Sequence, residues 1–118
     1  GALAPPGGKV EAVGGEQDIL EATLRREVLE EVGVQVADPV YVESHAFEGR
    51  FGDRPIVVVD LVFLCRYVSG EPHAQDPEEV AAVEWIAPAD LRADPRALPF
   101  TLASLERAEE ARLARGWE

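Results

Sequence analysis

The sequence is poor in three residue types: it contains no methionine, one cysteine and one lysine among its 118 residues. Because an initiating methionine is missing, we expect Gly1 to follow a removed or absent segment. The lone cysteine, Cys65, excludes an internal disulfide bond and favours a reducing, cytoplasmic location. Its apolar neighbours predict a buried small side chain and not a nucleophile. No apolar run reaches the roughly 18 residues that a membrane-spanning helix needs.

Basic residues are also scarce, since the chain has 11 of them against 23 acidic residues and a formal net charge of -12. Such a charge repels nucleic-acid backbones and anionic membrane surfaces, so we predict neither a nucleic-acid polymer nor a membrane as a partner. A small anionic substrate can still bind if a cation lies between it and the protein. The length predicts a single domain over residues 1–118, and the 47% of hydrophobic residues is typical of globular proteins.

The clearest helix signal covers residues 18–32. Asp18 is a suitable N-cap residue, and Glu21 three positions later predicts a capping box. Gly33 is a natural residue for the position after the last helical turn. A stripe of apolar residues at a spacing of four predicts the buried face of this helix: Leu24, Val28 and Val32.

Strand signals dominate the middle of the chain. Residues 34–47 and 55–68 are rich in β-branched and aromatic side chains, and residues 48–54 between them have the composition of a turn. This pattern predicts an antiparallel hairpin. The other predicted elements are a strand over residues 80–86, a helical turn over residues 88–91 and a helix over residues 101–115. Helices combined with antiparallel strands predict an α+β fold.

Three glutamates near the end of the first helix carry the strongest chemical signal. At about 100° per residue, Glu27, Glu30 and Glu31 share roughly one third of the helix circumference. Carboxylates this close repel one another and favour a proton or a cation. Oxygen ligands at this spacing suit Mg²⁺ or Mn²⁺, whereas the alternative is a solvated acidic face. The helix macrodipole disfavours acidic residues at this end, which favours the metal interpretation.

The surrounding residues resemble a known family motif. From Arg26 the chain reads Arg26-Glu27-Val28-Leu29-Glu30-Glu31-Val32-Gly33-Val34, and upstream it reads Gly7-Gly8-Lys9-Val10-Glu11. Together these segments resemble the Nudix box, here over residues 8–34. The second half of the box matches in full. In the first half, Asp18 stands where the family has Glu, and the loop from Gly8 to Asp18 is four residues longer than in the family. We assign the insertion to residues 12–17, while an alternative register puts Glu16 in the position of the family's Glu.

The resemblance to MutT-like Nudix hydrolases implies an α/β/α sandwich with a central mixed sheet, whose N-terminal strands are absent from this chain. A sheet with an open edge tends to pair with another chain, so we expect a homodimer. The implied activity is a metal-dependent pyrophosphohydrolase that cleaves a diphosphate linkage in nucleoside diphosphate derivatives, namely dNTPs, oxidised dNTPs, ADP-ribose or dinucleoside polyphosphates. The alternative is a non-catalytic Nudix-like module that binds a nucleotide or a protein.

The resemblance also assigns roles to individual residues. The implied metal ligands, for Mg²⁺ or Mn²⁺, are Glu27, Glu30, Glu31 and the backbone carbonyl of Gly7. Lys9 and Gly8 are implied to contact the substrate, and Asp18 is implied to brace the catalytic Arg26. The general base stays open among Glu27, Glu30, Glu78 and Glu79. From its place at the predicted turn, Arg54 is a further candidate for contacting substrate phosphates.

Overall fold

The structure is a computed structural model that describes residues 2–118. Its elements in chain order are α1 (Ile19–Val32), β1 (Gln35–Phe51), β2 (Arg54–Ser69), α2 (Pro88–Ala93) and α3 (Pro99–Ala114). The α+β class is therefore confirmed, and the hairpin and all three helical elements lie where the sequence predicts them. Within the described residues, no helix has both the length and the apolar character needed to cross a membrane.

Helix α1 begins and ends at the predicted residues, but its N-terminal cap differs from the prediction. Asp18 has a left-handed backbone conformation, with φ 53° and ψ 37°, and its side chain makes no capping hydrogen bond. A capping side chain needs an extended backbone to direct its oxygen at the first free N–H groups, so the predicted capping box is wrong. At the other end, Gly33 has φ 74° and its N–H donates to the carbonyl of Leu29 at 3.0 Å, as predicted.

Strands β1 and β2 form the predicted antiparallel hairpin, with a tighter turn than expected. Phe51 pairs with Arg54, so only two residues form the turn instead of the predicted seven. The first of them, Gly52, has φ 63°, which glycine adopts without strain. The pairing is irregular between Ala37 and Val40, where the intervening proline has no N–H to donate to the ladder.

The third predicted strand, over residues 80–86, does not form. These residues have no regular structure, and Trp85 is 67% exposed with its ring edge-to-face against Tyr67 at 5.5 Å. A strand needs a neighbouring strand to pair with its N–H and carbonyl groups, and β-propensity alone does not supply one. Within residues 2–118 the sheet has two antiparallel strands, so the mixed character implied by the family resemblance is not seen in this part of the chain.

The hydrophobic core lies between α1 and the start of β1. Its buried members are Val28, Val32 and Val34, and Leu24, Val36 and Val83 pack around them. The predicted apolar stripe of α1 is thus confirmed. Helix α3 packs against both strands and buries Thr101, whereas Leu113 near its end stays exposed. The core places the opposite, acidic side of α1 toward the segment that precedes the helix.

The far half of the hairpin leaves apolar side chains in solvent. Val57 and Val59 on β2 are 71% and 64% exposed, and Phe51 on β1 is 71% exposed. Within the described residues both outer edges of the sheet lack a neighbouring strand. Exposed edges of this kind favour association with another strand, and the homodimer stays a prediction.

Candidate functional site

An open cleft of about 460 Å³ lies between α1, the segment before it and the loop after β2. Its lining combines one lysine, two glycines and four carboxylates: Gly7, Gly8, Lys9, Glu11, Glu27, Glu31, Glu79 and Val80. Glu27 and Glu31 reach it together because residues four apart lie one above the other on a helix. A cluster of carboxylates beside a lysine and a flexible glycine pair can bind a cation and a phosphate side by side.

The segment before α1 approaches the helix very closely at Gly8. A Cβ atom built on Gly8 would overlap the carboxylate of Glu27, whereas one built on Gly7 would meet open space. The absence of a side chain at Gly8 therefore allows the backbone to lie against Glu27. Further upstream, the N–H of Leu3 donates to the carbonyl of Arg96 at 3.0 Å, and Leu3 forms a parallel bridge with Ala97.

Within the cleft, the acidity of Glu31 depends on its surroundings. Partial burial raises its pKa above the usual range, and the negative charges of Glu27 and Glu79 raise it further. A backbone hydrogen bond from Gly7 acts in the opposite direction and lowers the pKa. A carboxyl group in this situation gains most from a cation, because the cation compensates both the lost water and the like charges.

Glu79 joins the cleft through a tight turn. The carbonyl of Asp76 accepts hydrogen bonds from the N–H of Glu79 at 3.0 Å and from that of Val80 at 2.9 Å. The Asp76 carboxylate accepts a further bond from the N–H of Glu78 at 3.0 Å. These bonds turn Glu79 into the cleft while Glu78 stays exposed and outside its lining. The sequence left Glu78 and Glu79 of this loop as candidates for the general base, and of these two only Glu79 lies beside Glu31.

Arg26 pairs with residues other than the predicted one. Its guanidinium lies 3.0 Å from the Glu27 carboxylate and 3.5 Å from the Glu30 carboxylate. Asp18 forms no ion pair with it in the described part of the chain, so the predicted brace does not form. In the alternative register Glu16 takes the place of Asp18. Its carboxylate accepts a hydrogen bond from the N–H of Val13 at 2.9 Å, so it is held within its own loop. Asp18 immediately precedes α1, about two helical turns before Arg26.

Two other predicted residues lie outside the cleft. Glu30 has a side chain that is 60% exposed, and its one charged partner among the described residues is Arg26. Arg54 is at the hairpin turn, paired with Phe51, and does not line the cleft.

Glu11 is the carboxylate that the residue-by-residue prediction missed, although it ends the Gly-Gly-Lys-Val-Glu segment. Because Glu11 lies only three residues after Gly8, the sequence could have placed its carboxylate in the same cleft.

The NUDIX domain model matches residues 1–106, which is most of the chain. The chain belongs to the NUDIX family. A solved structure of a MutT NUDIX hydrolase from Burkholderia pseudomallei matches it with a TM-score of 0.59 and 26% sequence identity. The match covers 86% of this chain and 73% of that one. None of the curated proteins compared with the chain matches it significantly. Together the family and this likeness support a Nudix hydrolase in general terms.

The Nudix cleft has the donor chemistry for a hard divalent cation, which Nudix hydrolases generally use. Glu27 and Glu31 would supply oxygen ligands with Glu79 close by, and the raised pKa of Glu31 marks a carboxyl group without enough compensating positive charge. In residues 2–118, however, no three side chains of Asp, Glu, His or Cys lie close enough together to form a metal cluster as they stand. Glu27 is instead paired with Arg26, so a cation would draw its carboxylate away from the guanidinium.

Cys65 lies outside this Nudix cleft, in the half-buried part of β2. Burial raises the pKa of its thiol to about 11, and the nearby charge of Arg25 lowers it by less. A thiol in this state is protonated at neutral pH and a poor nucleophile, in agreement with its sequence context.

Proposed function

We propose that this chain is a metal-dependent pyrophosphohydrolase that cleaves a diphosphate linkage in nucleoside diphosphate derivatives. The observation that carries the proposal is the meeting of Glu27, Glu31 and Glu79 with Lys9 in one cleft, at the end of a helix that carries the family's carboxylates. Its volume of about 460 Å³ is within the range of about 300–1,000 Å³ that is usual for small-molecule sites.

The cation is proposed to be Mg²⁺, with Mn²⁺ as a substitute. Glu31 and Glu27 would be its side-chain ligands, together with the carbonyl of Gly7, and Glu30 would join only by leaving Arg26. When bound, such a cation neutralises phosphate charge and lowers the pKa of a coordinated water. A divalent cation also offsets the net charge of -12, which would otherwise repel an anionic substrate.

The chain's own residues have separate roles in this proposal. Lys9 on the edge of the cleft would bind a substrate phosphate as a point charge. Gly8 would let the backbone approach that phosphate without a side chain in the way. Arg26 would hold the carboxylate of Glu27 from the side away from the substrate. Glu79 would accept the proton of the attacking water, because it faces Glu31 across the cleft without a basic partner among the described residues.

The lining of the cleft points to the diphosphate and not the base as the recognised group. In the described chain no aromatic side chain lines this cleft, so none is available there to stack on a nucleobase. The proposed substrates therefore share a diphosphate and differ elsewhere: dNTPs, oxidised dNTPs, ADP-ribose and dinucleoside polyphosphates.

We expect a nucleotide panel to reveal hydrolysis that depends on a divalent cation. The nucleotide monophosphate products are quantified by ion-exchange chromatography with Mg²⁺, with Mn²⁺ and after removal of both by a chelator. Turnover of at least one diphosphate compound should require the cation and return when it is restored. A folded protein that hydrolyses none of the panel at any cation concentration contradicts the proposal.

The second candidate is a non-catalytic Nudix-like module that binds a nucleotide or a protein. The pairing of Glu27 and Glu30 with Arg26, and the lack of a three-ligand cluster in residues 2–118, favour this alternative. The same panel separates the two candidates when calorimetry accompanies it. Nucleotide binding without turnover in the presence of Mg²⁺ supports the binding module.

Replacement of Gly8 by alanine is expected to lower turnover roughly tenfold while it leaves the free energy of unfolding within about 0.5 kcal/mol of the original value. The new methyl group would displace the flexible end of Glu27, which moves at little cost to the fold. Turnover and urea denaturation measure the two effects. Gly7→Ala, whose methyl group meets open space, should cause a smaller loss of turnover. Equal losses in the two variants would argue against a special contact at Gly8.

A further inference from the structure

A short segment after β2, residues 71–75, docks on the C-terminal end of α1. The N–H of His73 donates to the carbonyl of Val32 at 2.9 Å, and the N–H of Gln75 donates to the carbonyl of Glu31 at 3.2 Å. The last carbonyls of a helix have no partner within the helix itself. This docking segment therefore supplies partners to α1 directly beside the carboxylates of the cleft.

Side chains hold the docking segment in one position. The amide of Gln75 lies 3.5 Å from the carbonyl of Leu29, as a third donor to the helix end. The His73 imidazole lies on Gly33, where a Cβ atom would overlap the ring. Its Nδ1 donates to the carbonyl of Glu71 at 2.9 Å. A glycine at the end of α1 thus serves both the helix termination and the contact with the docking segment.

The end of α1 needs such donors more than most helix ends do. It has no basic residue in its last turn, although Glu27, Glu30 and Glu31 lie near that end. The helix macrodipole places partial negative charge at the same point, which disfavours all three carboxylates. The N–H groups of the docking segment are aimed at this partial charge and offset part of it.

The docking segment leads directly into the turn that carries Glu79. Gln75 immediately precedes Asp76, whose carbonyl accepts the N–H of Glu79 at 3.0 Å. The hydrogen bond from Gln75 to the carbonyl of Glu31 therefore fixes the start of the turn relative to Glu31 itself. One end of this connection is bonded to the backbone of Glu31, and the other end presents Glu79 to its side chain.

We propose that Gln75 is a positioning residue, whose backbone N–H and side-chain amide fix the distance between the Glu79 and Glu31 carboxylates by tying the Glu79 turn to α1. The inference rests on the proposed function, in which Glu31 is a ligand of the cation and the negative charge of Glu79 beside it strengthens that binding. Gln75 itself does not line the cleft, so its effect passes through Glu79.

The test is a double-mutant cycle on Mn²⁺ affinity, measured by electron paramagnetic resonance without any nucleotide. Gln75→Pro removes the N–H donor, and Glu79→Gln removes the charge that it positions. Each single variant should weaken Mn²⁺ binding roughly tenfold, in the range expected for groups behind a metal ligand. Because Gln75 acts through Glu79, the double variant should bind Mn²⁺ with the same affinity as the single variant that binds it less tightly.

Ala74→Pro is the matched control, because it places the same ring one residue earlier, where the N–H makes no hydrogen bond within the described residues. It should keep the original Mn²⁺ affinity. If Gln75→Pro does not fold, as judged by circular dichroism, the cycle is repeated with Gln75→Ala, which loses the side-chain donor alone and should show a smaller, equally non-additive effect.

Three results would overturn the inference: an unchanged affinity in the Gln75 variants, fold-changes that multiply in the double variant, or an original protein that does not bind Mn²⁺. A protein that binds Mn²⁺ and gives the expected cycle but hydrolyses no nucleotide refutes the proposed function alone. The two failures are therefore distinguishable.

Discussion

Replacement of Glu31 by glutamine is expected to lower cation-dependent turnover by about 10² or more while the fold is kept. Glu31 lines the cleft together with Glu27, is partly buried and lies near the charges of both Glu27 and Glu79. Glu27 and Glu30 both pair with Arg26, whereas Glu31 has no ion pair within the described residues. Glutamine keeps the shape and an oxygen acceptor for Gly7 but removes the charge that would bind the cation. Turnover of the best substrate of the panel, at saturating Mg²⁺, measures the effect.

Two further variants test whether the cleft and not the total acidity explains the loss. Glu110→Gln removes one charge from an exposed position on α3 that has no ion pair within residues 2–118, and should keep the original turnover. Glu30→Gln should lose less than Glu31→Gln, because Glu30 lies outside the cleft beside Arg26. A larger loss for Glu30→Gln than for Glu31→Gln would show that the cation lies elsewhere on the helix.

Replacement of Val34 by aspartate is expected to lower the free energy of unfolding by at least about 3 kcal/mol, a large share of the roughly 5–15 kcal/mol that stabilises a typical domain. Val34 is 3% exposed and packs against Val28 and Val32, the two other buried hydrophobic residues of a small core. The core residues packed around it are apolar, so the new carboxylate would be buried among side chains that cannot pair with its charge. Urea denaturation followed by circular dichroism measures the change.

The matched control for this substitution is Val13→Asp. Val13 is 98% exposed in the glycine-rich loop before α1, so the same chemical change there removes almost no buried surface. Its free energy of unfolding should stay within about 0.5 kcal/mol of the original. A similar loss in both variants would mean that added negative charge, on a chain with a net charge of -12, destabilises the protein regardless of position.

Local patterns in the sequence were sufficient for most of the fold. The stripe of Val28 and Val32 and the glycine at position 33 determine α1 within a few residues, since helix periodicity and termination depend on neighbours in sequence. The run from Ile56 to Val59 and the turn before it determine the hairpin for the same reason. The strand predicted over residues 80–86 was wrong, because a strand also needs a neighbour that no local pattern specifies.

For the site, the sequence by itself determined which residue types were available and that Glu27 and Glu31 share one side of α1. Only the tertiary structure decided which carboxylates meet. It turned Glu79 into the cleft through the docking segment, left Glu30 with Arg26, and separated Asp18 from its predicted partner. The physical reason is that helix spacing fixes neighbours within four residues, whereas contacts between segments depend on how the chain packs and which backbone groups find partners.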